Sequence, residues 1–382
     1  MDPSRRPAPS TADEARVFGL DLLRASAIAL VLVAHASVMF LPLTHALEGW
    51  WMLGHFGVEL FFVLSGFLIG GILVRQAGAA RFGVGRFWVR RWLRTLPNYY
   101  LFLVINILLA RWIDGIWPSA GAYALFLQNF AWPQPIFFIE SWSLAVEEIF
   151  YLIAPLLVLA FAPRRMRRVS PLAWVTLAIV LATAIRIGYV LSQQPEWDLA
   201  VRMVTLARMD AIGYGVLAVL LYDHAGGFAR RHARAIACTG AAGLALAIAL
   251  YFALPRDTDL FARTGLFSLI SASFAALLPA AANWQRSGMP APIDAAVRHV
   301  ARWSYALYLC QLAVMRVMNA TFGGHAQTFA GCLLQALVFM ALSIACAAFV
   351  YRCFEAPILR WRDRMTRKPR WNADTEAHAR HV

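Results

Sequence analysis

An arginine and a histidine stand eleven residues apart in LDLLRASAIALVLVAHA (20–36), with only small and apolar side chains between them. At about 100° per residue, eleven positions bring Arg24 and His35 back to one helix face, about 16 Å apart along the axis. Asp21 lies near that face, three residues before Arg24. A guanidinium attracts anions, and an imidazole takes up a proton near neutral pH. Together they predict a polar stripe on which a proton is moved beside an anionic group. The structural alternative is an arginine snorkelling to the membrane surface and a hydrogen-bonded core histidine.

Other polar groups occupy equally apolar surroundings. Glu59 falls in GVELFFVLSGFLIGGIL, where Ser65-Gly66 and Gly70-Gly71 permit close helix packing. In ESWSLAVEEIFYLIAP, Ser143 and Glu147 are four residues apart and share a helix face, with Glu148 alongside. LARMDAIGYG contributes Arg208 and Asp210. Counted along their segments, His35, Glu59, Glu147, Arg208 and Asp210 fall in the outer half of the membrane or near its midplane. An unpaired charge there is prohibitive, so these groups are expected to pair across helices around a polar cavity. Interhelical ion pairs that only hold a bundle together are the competing reading. In RFWVRRWLRTLP (86–97), Arg90, Arg91 and Arg94 place guanidinia about one turn apart. Arginine forks suit phosphate, so a phosphorylated ligand is expected at this basic loop.

The elements that position these residues must be membrane spans. The 382-residue chain is 60% hydrophobic and 15% charged, a balance foreign to soluble domains. Ten apolar stretches long enough to cross a bilayer lie near 18–41, 51–74, 96–112, 137–162, 171–192, 202–223, 233–254, 262–283, 300–320 and 328–352. Arginine alternates between the connections. The amino terminus, 75–95, 163–170, 224–234, 284–299 and the tail are rich in it. Segments 42–50, 113–136, 193–201 and 321–327 have no Lys or Arg, and 255–261 has only Arg256. Cytoplasmic loops concentrate positive charge, so both termini are expected in the cytoplasm. The net charge of +14 then follows from topology, and nucleic acid is not needed to explain it. The fold class is an all-α polytopic membrane protein of about ten transmembrane helices. The expected organisation is a disordered leader (1–17), one membrane domain (18–362) and a basic tail (363–382). The first apolar run is read as a span, not a cleaved signal, because removing it would spoil the inside–outside alternation. Cys238, Cys310, Cys332, Cys346 and Cys353 lack metal-ligand spacing and read as small core residues; no metal is expected.

Taken in order, these segments resemble the acyltransferase-3 family of bacterial inner-membrane proteins, the O-antigen acetylase type. LDLLRA…VLVAH is similar to the family's signature of an arginine and a histidine with ten residues between them, met here by Arg24 and His35. GVELFFVLSGFLIGGIL resembles its second-span motif, RFWVRRWLRTLPNYY its Arg-x-x-Arg loop (Arg91 and Arg94), and SWSLAVEEIFYL its Trp-Ser-Leu-x-x-Glu-Glu segment. ARMDAIGYG, SYALYLCQ and YRCFEAPILR complete the set, over about 18–362. One departure is Cys310-Gln311, where the family often has a histidine; Gln311 can hydrogen-bond but cannot act as an acid. No esterase-like domain follows the spans here, so a stand-alone member is expected.

The resemblance implies a multi-pass inner-membrane enzyme that transfers an acyl group, usually acetyl, from acyl-CoA to a hydroxyl of a carbohydrate or other glycosylated acceptor. Acyl-CoA is then a co-substrate, with no bound cofactor. Arg90, Arg91, Arg94 and Arg24 would receive the donor, and His35 would deprotonate the acceptor or carry the acyl group. Glu147 would orient the imidazole, and Ser143 and Tyr305 would donate to the thioester oxygen. Glu59, Arg208, Asp210 and Gln311 would complete the substrate site. The rival from another class is a proton-coupled carrier, which also places Glu, Asp, Arg and His at the midplane. Acyl chain, acceptor and oligomeric state stay open.

Overall fold

The computed structural model describes residues 17–44, 49–77, 83–161, 170–224, 227–322 and 326–366. Most of the leader (1–16) and of the tail (367–382) lies outside these. The described residues form helices and no strands. The long helices are α1 (Phe18–Ala36), α2 (Trp51–Ala77), α3 (Val84–Leu109), α4 (Ser141–Phe161) and α5 (Pro171–Gln193). They continue as α6 (Met209–His224), α7 (Ala233–Ala253), α8 (Gly265–Asn283), α9 (Ala291–Phe322) and α10 (Phe329–Val350). A π-helical turn, Tyr351–Glu355, leads into α11 (Ala356–Met365).

Among the described residues, nine helices are long and apolar enough to cross a membrane. The tenth expected span lies inside α9. Its apolar run is broken by Ser304, Tyr308 and Gln311, which are buried in the bundle and not turned to lipid. The outward surface is greasy: Val104, Leu108, Leu157, Leu181, Leu334 and Phe349 are all exposed. This is the arrangement a hydrocarbon solvent favours.

α2 is the central helix, packed on α1, α4, α6 and α8, while α1 also touches α9 and α10. Two glycines set the α2–α6 crossing. A Cβ on Gly66 would lie 2.0 Å from the Ile212 carbonyl oxygen, and one on Gly215 would lie 2.0 Å from that of Val63. The backbones therefore touch, as small residues allow in lipid.

Three elements differ from the sequence reading. The arginine-rich segment before the third span is not a loop from residue 84 onward; Arg86–Arg94 belong to α3 itself. The fourth span begins at Ser141, not 137, and the sixth at Met209, not 202. The preceding stretches fold back as an irregular cap. Asn129 donates to the carbonyls of Trp142 (3.1 Å) and Met203 (2.5 Å) and accepts from the Thr205 amide (2.9 Å). Buried Gln128, Gln134 and Tyr123 join that cap. Backbone groups satisfied by side chains end the helices earlier than hydropathy suggests.

Candidate active site

A cavity of about 400 Å³ opens between α1, α2, α3, α4 and α9. Its lining includes Arg24, Arg91, Arg94 and Arg302, against one carboxylate, Glu147, with Ser65, Ser143, Tyr305 and Tyr308 as hydroxyl groups. Four guanidinia against one carboxylate give the lining an excess of positive charge, the kind of surface that attracts anions. Arg24 is placed by α1, where it also pairs with Asp21 at 3.3 Å, as the three-residue spacing implied. Arg91 reaches inward to Glu147 at 3.4 Å and to the Tyr151 hydroxyl, which itself donates to Glu147 at 3.0 Å and bonds Ser65.

This network revises two expectations. Glu147 does not orient His35; its hydrogen bonds go to Arg91 and Tyr151. Arg91, half-buried, is the cation paired with that carboxylate. Arg90 points elsewhere, to Thr366 (2.6 Å) and Asp363 (3.5 Å) beside α11, and does not line the cavity.

His35 is half-buried farther along α1. Its Nδ1 is 2.6 Å from Oε1 of Gln311 on α9. With the amide oxygen as acceptor, Nδ1 carries the proton and Nε2 presents its lone pair, the tautomer a base needs. Gln311 thus takes the orienting place that the sequence reading assigned to Glu147. One turn before it on α9, Tyr308 lines the basic cavity and shares a hydrogen bond with Ser143 at 2.8 Å. Tyr305 also lines the cavity, but its hydroxyl donates to the Thr95 carbonyl at 2.8 Å.

The remaining sequence candidates form a closed cluster outside the cavity. Arg208 donates to Glu59, whose other oxygen accepts from Ser271 at 2.9 Å. Asp210 takes a two-pronged bond from Arg186 at 2.8 and 2.9 Å, and another from Ser268 at 3.0 Å. Both members of the Arg186–Asp210 pair have fully buried side chains. Pairing across helices was foreseen; membership of the substrate cavity was not met for Glu59, Arg208 or Asp210. Arg186 escaped the sequence reading, although an arginine in mid-span is itself a signal. Tyr308 and Arg302 escaped it too, and only the rotation of α9 places them.

The acyltransferase-3 family model, described as an acyltransferase domain, matches residues 17–352. The peptidoglycan O-acetyltransferase OatA of Listeria monocytogenes is 30% identical over 164 residues, 38% of this chain and 24% of that protein. The O-acetyltransferase OatA of Staphylococcus aureus is 25% identical over 365 residues, 89% of this chain and 57% of that protein. The chain therefore spans about a quarter to just over half of the length of these relatives. No solved structure matches it significantly. With the match running through every helix that lines the basic cavity and through both His35 and Gln311, the chain belongs to the acyltransferase-3 family of membrane proteins.

Proposed function

We propose that the protein is an inner-membrane O-acyltransferase that moves an acyl group, acetyl foremost, from acyl-CoA to a carbohydrate hydroxyl. The observation that carries this reading is the His35–Gln311 pair, set on the same helix as an arginine of the basic cavity. The cavity's guanidinia suit the phosphates of coenzyme A, and its long pantetheine arm would lead the thioester along α1 toward the imidazole. His35 Nε2 takes the proton as the acceptor oxygen attacks the thioester carbonyl. The carbon–sulfur bond then breaks, and the proton passes to the departing thiolate, which regenerates neutral His35. Peptidoglycan, named for the Listeria relative, is the first acceptor to consider.

A proton-coupled carrier is less well supported. The buried charges that suggested it are tied into ion pairs, Glu59 with Arg208 and Asp210 with Arg186. The test is to supply radiolabelled acetyl-CoA to membranes containing the protein and count base-labile acetate on cell-wall glycan. Label that appears on glycan and depends on His35 supports the reading. Label that stays in the donor, with glycan acetylation equal to that of a deletion strain, overturns it.

A further inference from the structure

A second cavity, of about 430 Å³, lies at the opposite end of the bundle from the α3 arginines. It is lined by Leu41, Trp51, His55, Trp197 and Tyr251, with Glu196, Asp198, Asp257 and Arg256. Trp51 is 39% exposed at the rim. Trp197 and Tyr251 are buried and support the floor, where His55 Nδ1 meets the Tyr251 hydroxyl at 2.9 Å. The Arg256 guanidinium lies over the Tyr251 ring at 4.3 Å and donates to the Tyr251 carbonyl at 3.0 Å. Both oxygens of Glu196 cap the following turn, accepting from the Asp198 and Leu199 amides at 2.7 and 2.6 Å. Asp198 pairs with Arg202 at 2.5 Å and sits 3.7 Å from His55 Nε2. The pocket is thus built on rings and held polar groups.

Its charge is the reverse of the first cavity's. Three carboxylates and one guanidinium line it, with Asp198 also paired to Arg202, so it lacks the excess of positive charge that would draw the phosphates of the donor. An exposed indole face beside carboxylates and a guanidinium matches the chemistry of a sugar ring. Such a ring has apolar C–H faces that stack on aromatics and hydroxyls that both donate to carboxylates and accept from arginine. The pocket also adjoins the reacting imidazole: the Trp51 and His35 rings meet edge to face at 6.2 Å. His35 therefore borders this pocket through Trp51 and the basic cavity's wall through α9.

We propose that this outer pocket is the acceptor subsite, binding an uncharged sugar of a glycan with Trp51 as stacking platform and Asp198, Asp257 and Arg256 as hydroxyl partners. This rests on the acyltransferase reading for its purpose, though not for its geometry. Two directly measurable probes are chitotetraose, a neutral tetramer of N-acetylglucosamine, and the anionic hyaluronan tetrasaccharide. The purified full chain in detergent should bind chitotetraose by calorimetry, with hyaluronan tetrasaccharide at least tenfold weaker. Trp51→Ala and Asp257→Asn, neither in the donor cavity, should each weaken chitotetraose binding about tenfold and leave acetyl-CoA affinity unchanged. Acetyl-transfer assays on the same preparations should show the Asp257→Asn loss in acceptor KM and not in kcat, whereas Trp51→Ala, which also removes the ring packed on His35, should raise acceptor KM. No binding by the unaltered protein, binding unaffected by both substitutions, or equal affinity for the anionic sugar overturns the subsite. Chitotetraose binding that depends on Trp51, in a protein that transfers no acetyl group to any glycan, retains the subsite and sinks the acyltransferase reading instead.

Discussion

Two residues decide the chemistry at the smallest scale. In the proposed reaction His35 would take the acceptor proton at Nε2 only if its Nδ1–H is held elsewhere, and the Gln311 amide oxygen, 2.6 Å from Nδ1, can hold it without adding charge. His35→Gln is expected to cut acetyl transfer by roughly 10²–10⁴, the usual worth of general acid–base catalysis. The amide of Gln keeps hydrogen bonding, so protein abundance should stay near normal. Retention of more than about a tenth of the turnover would place the base elsewhere. Arg91 carries a second argument, because Arg91→Ala strands Glu147 in a half-buried site. Loss of protein from the membrane is expected for that single change, since a buried charge deprived of its partner is strongly destabilising. Adding Glu147→Gln should restore abundance but not donor affinity. Abundance on immunoblots and KM for acetyl-CoA separate the two effects; a double variant with normal donor KM would remove Arg91 from the donor site. The Arg24–His35 stripe was legible in the sequence because eleven residues close three helical turns. Arg91 beside Glu147 and Gln311 beside His35 were not, because each lies on another helix.

At the scale of elements, the α2–α6 crossing and the Arg186–Asp210 pair keep the bundle in register. Gly215→Leu would push a side chain into the Val63 carbonyl, which backbone cannot yield. Detergent-solubilised protein should then aggregate on gel filtration, whereas Gly188→Leu, at a glycine with open space around it, should run as the unaltered protein does. Equal elution of the two would refute backbone contact at the crossing. Arg186→Met should cost about 3–5 kcal/mol, the range for breaking a fully buried pair, because Asp210 loses both prongs at once. The pair Arg186→Met with Asp210→Leu should recover most of the lost melting temperature. Thermal unfolding of the unaltered protein and these two variants checks this, and a double variant no better than the single would show that the bonds to Ser268 dominate. Glu59 and Arg208 share this structural part, so their absence from the cavity has a physical reason. A buried carboxylate is tolerated once it is paired, and Glu59 and Asp210, each held by an arginine and a serine, are no longer offered to a ligand.

For the whole molecule, counting α9 with the nine apolar helices gives ten crossings, and an even number would return the chain to the side on which it begins. Contacts along the bundle agree with this. Phe18 bonds the Gln285 carbonyl and Asn283 the Arg230 carbonyl at one end, while Arg316 meets Asp114 and Trp197 meets Ala262 at the other. Reporter fusions after Ala120 and Asp257 should therefore read external, and fusions after Gly227 and Gly288 cytoplasmic. Two reversed reporters in one half of the chain would require another topology. The all-α, many-span character and the family were legible in the sequence alone. Hydropathy, arginine spacing and short ordered motifs are local properties, and the bilayer acts on each segment separately. Only the tertiary structure decided which polar side chains meet. His35 finds Gln311 across 276 positions of sequence, Glu147 turns to Arg91, and the outer pocket draws on residues from 41 to 257. Those encounters depend on how far each helix is rotated about its own axis. In lipid that rotation is set by packing between neighbouring helices, which no single segment encodes.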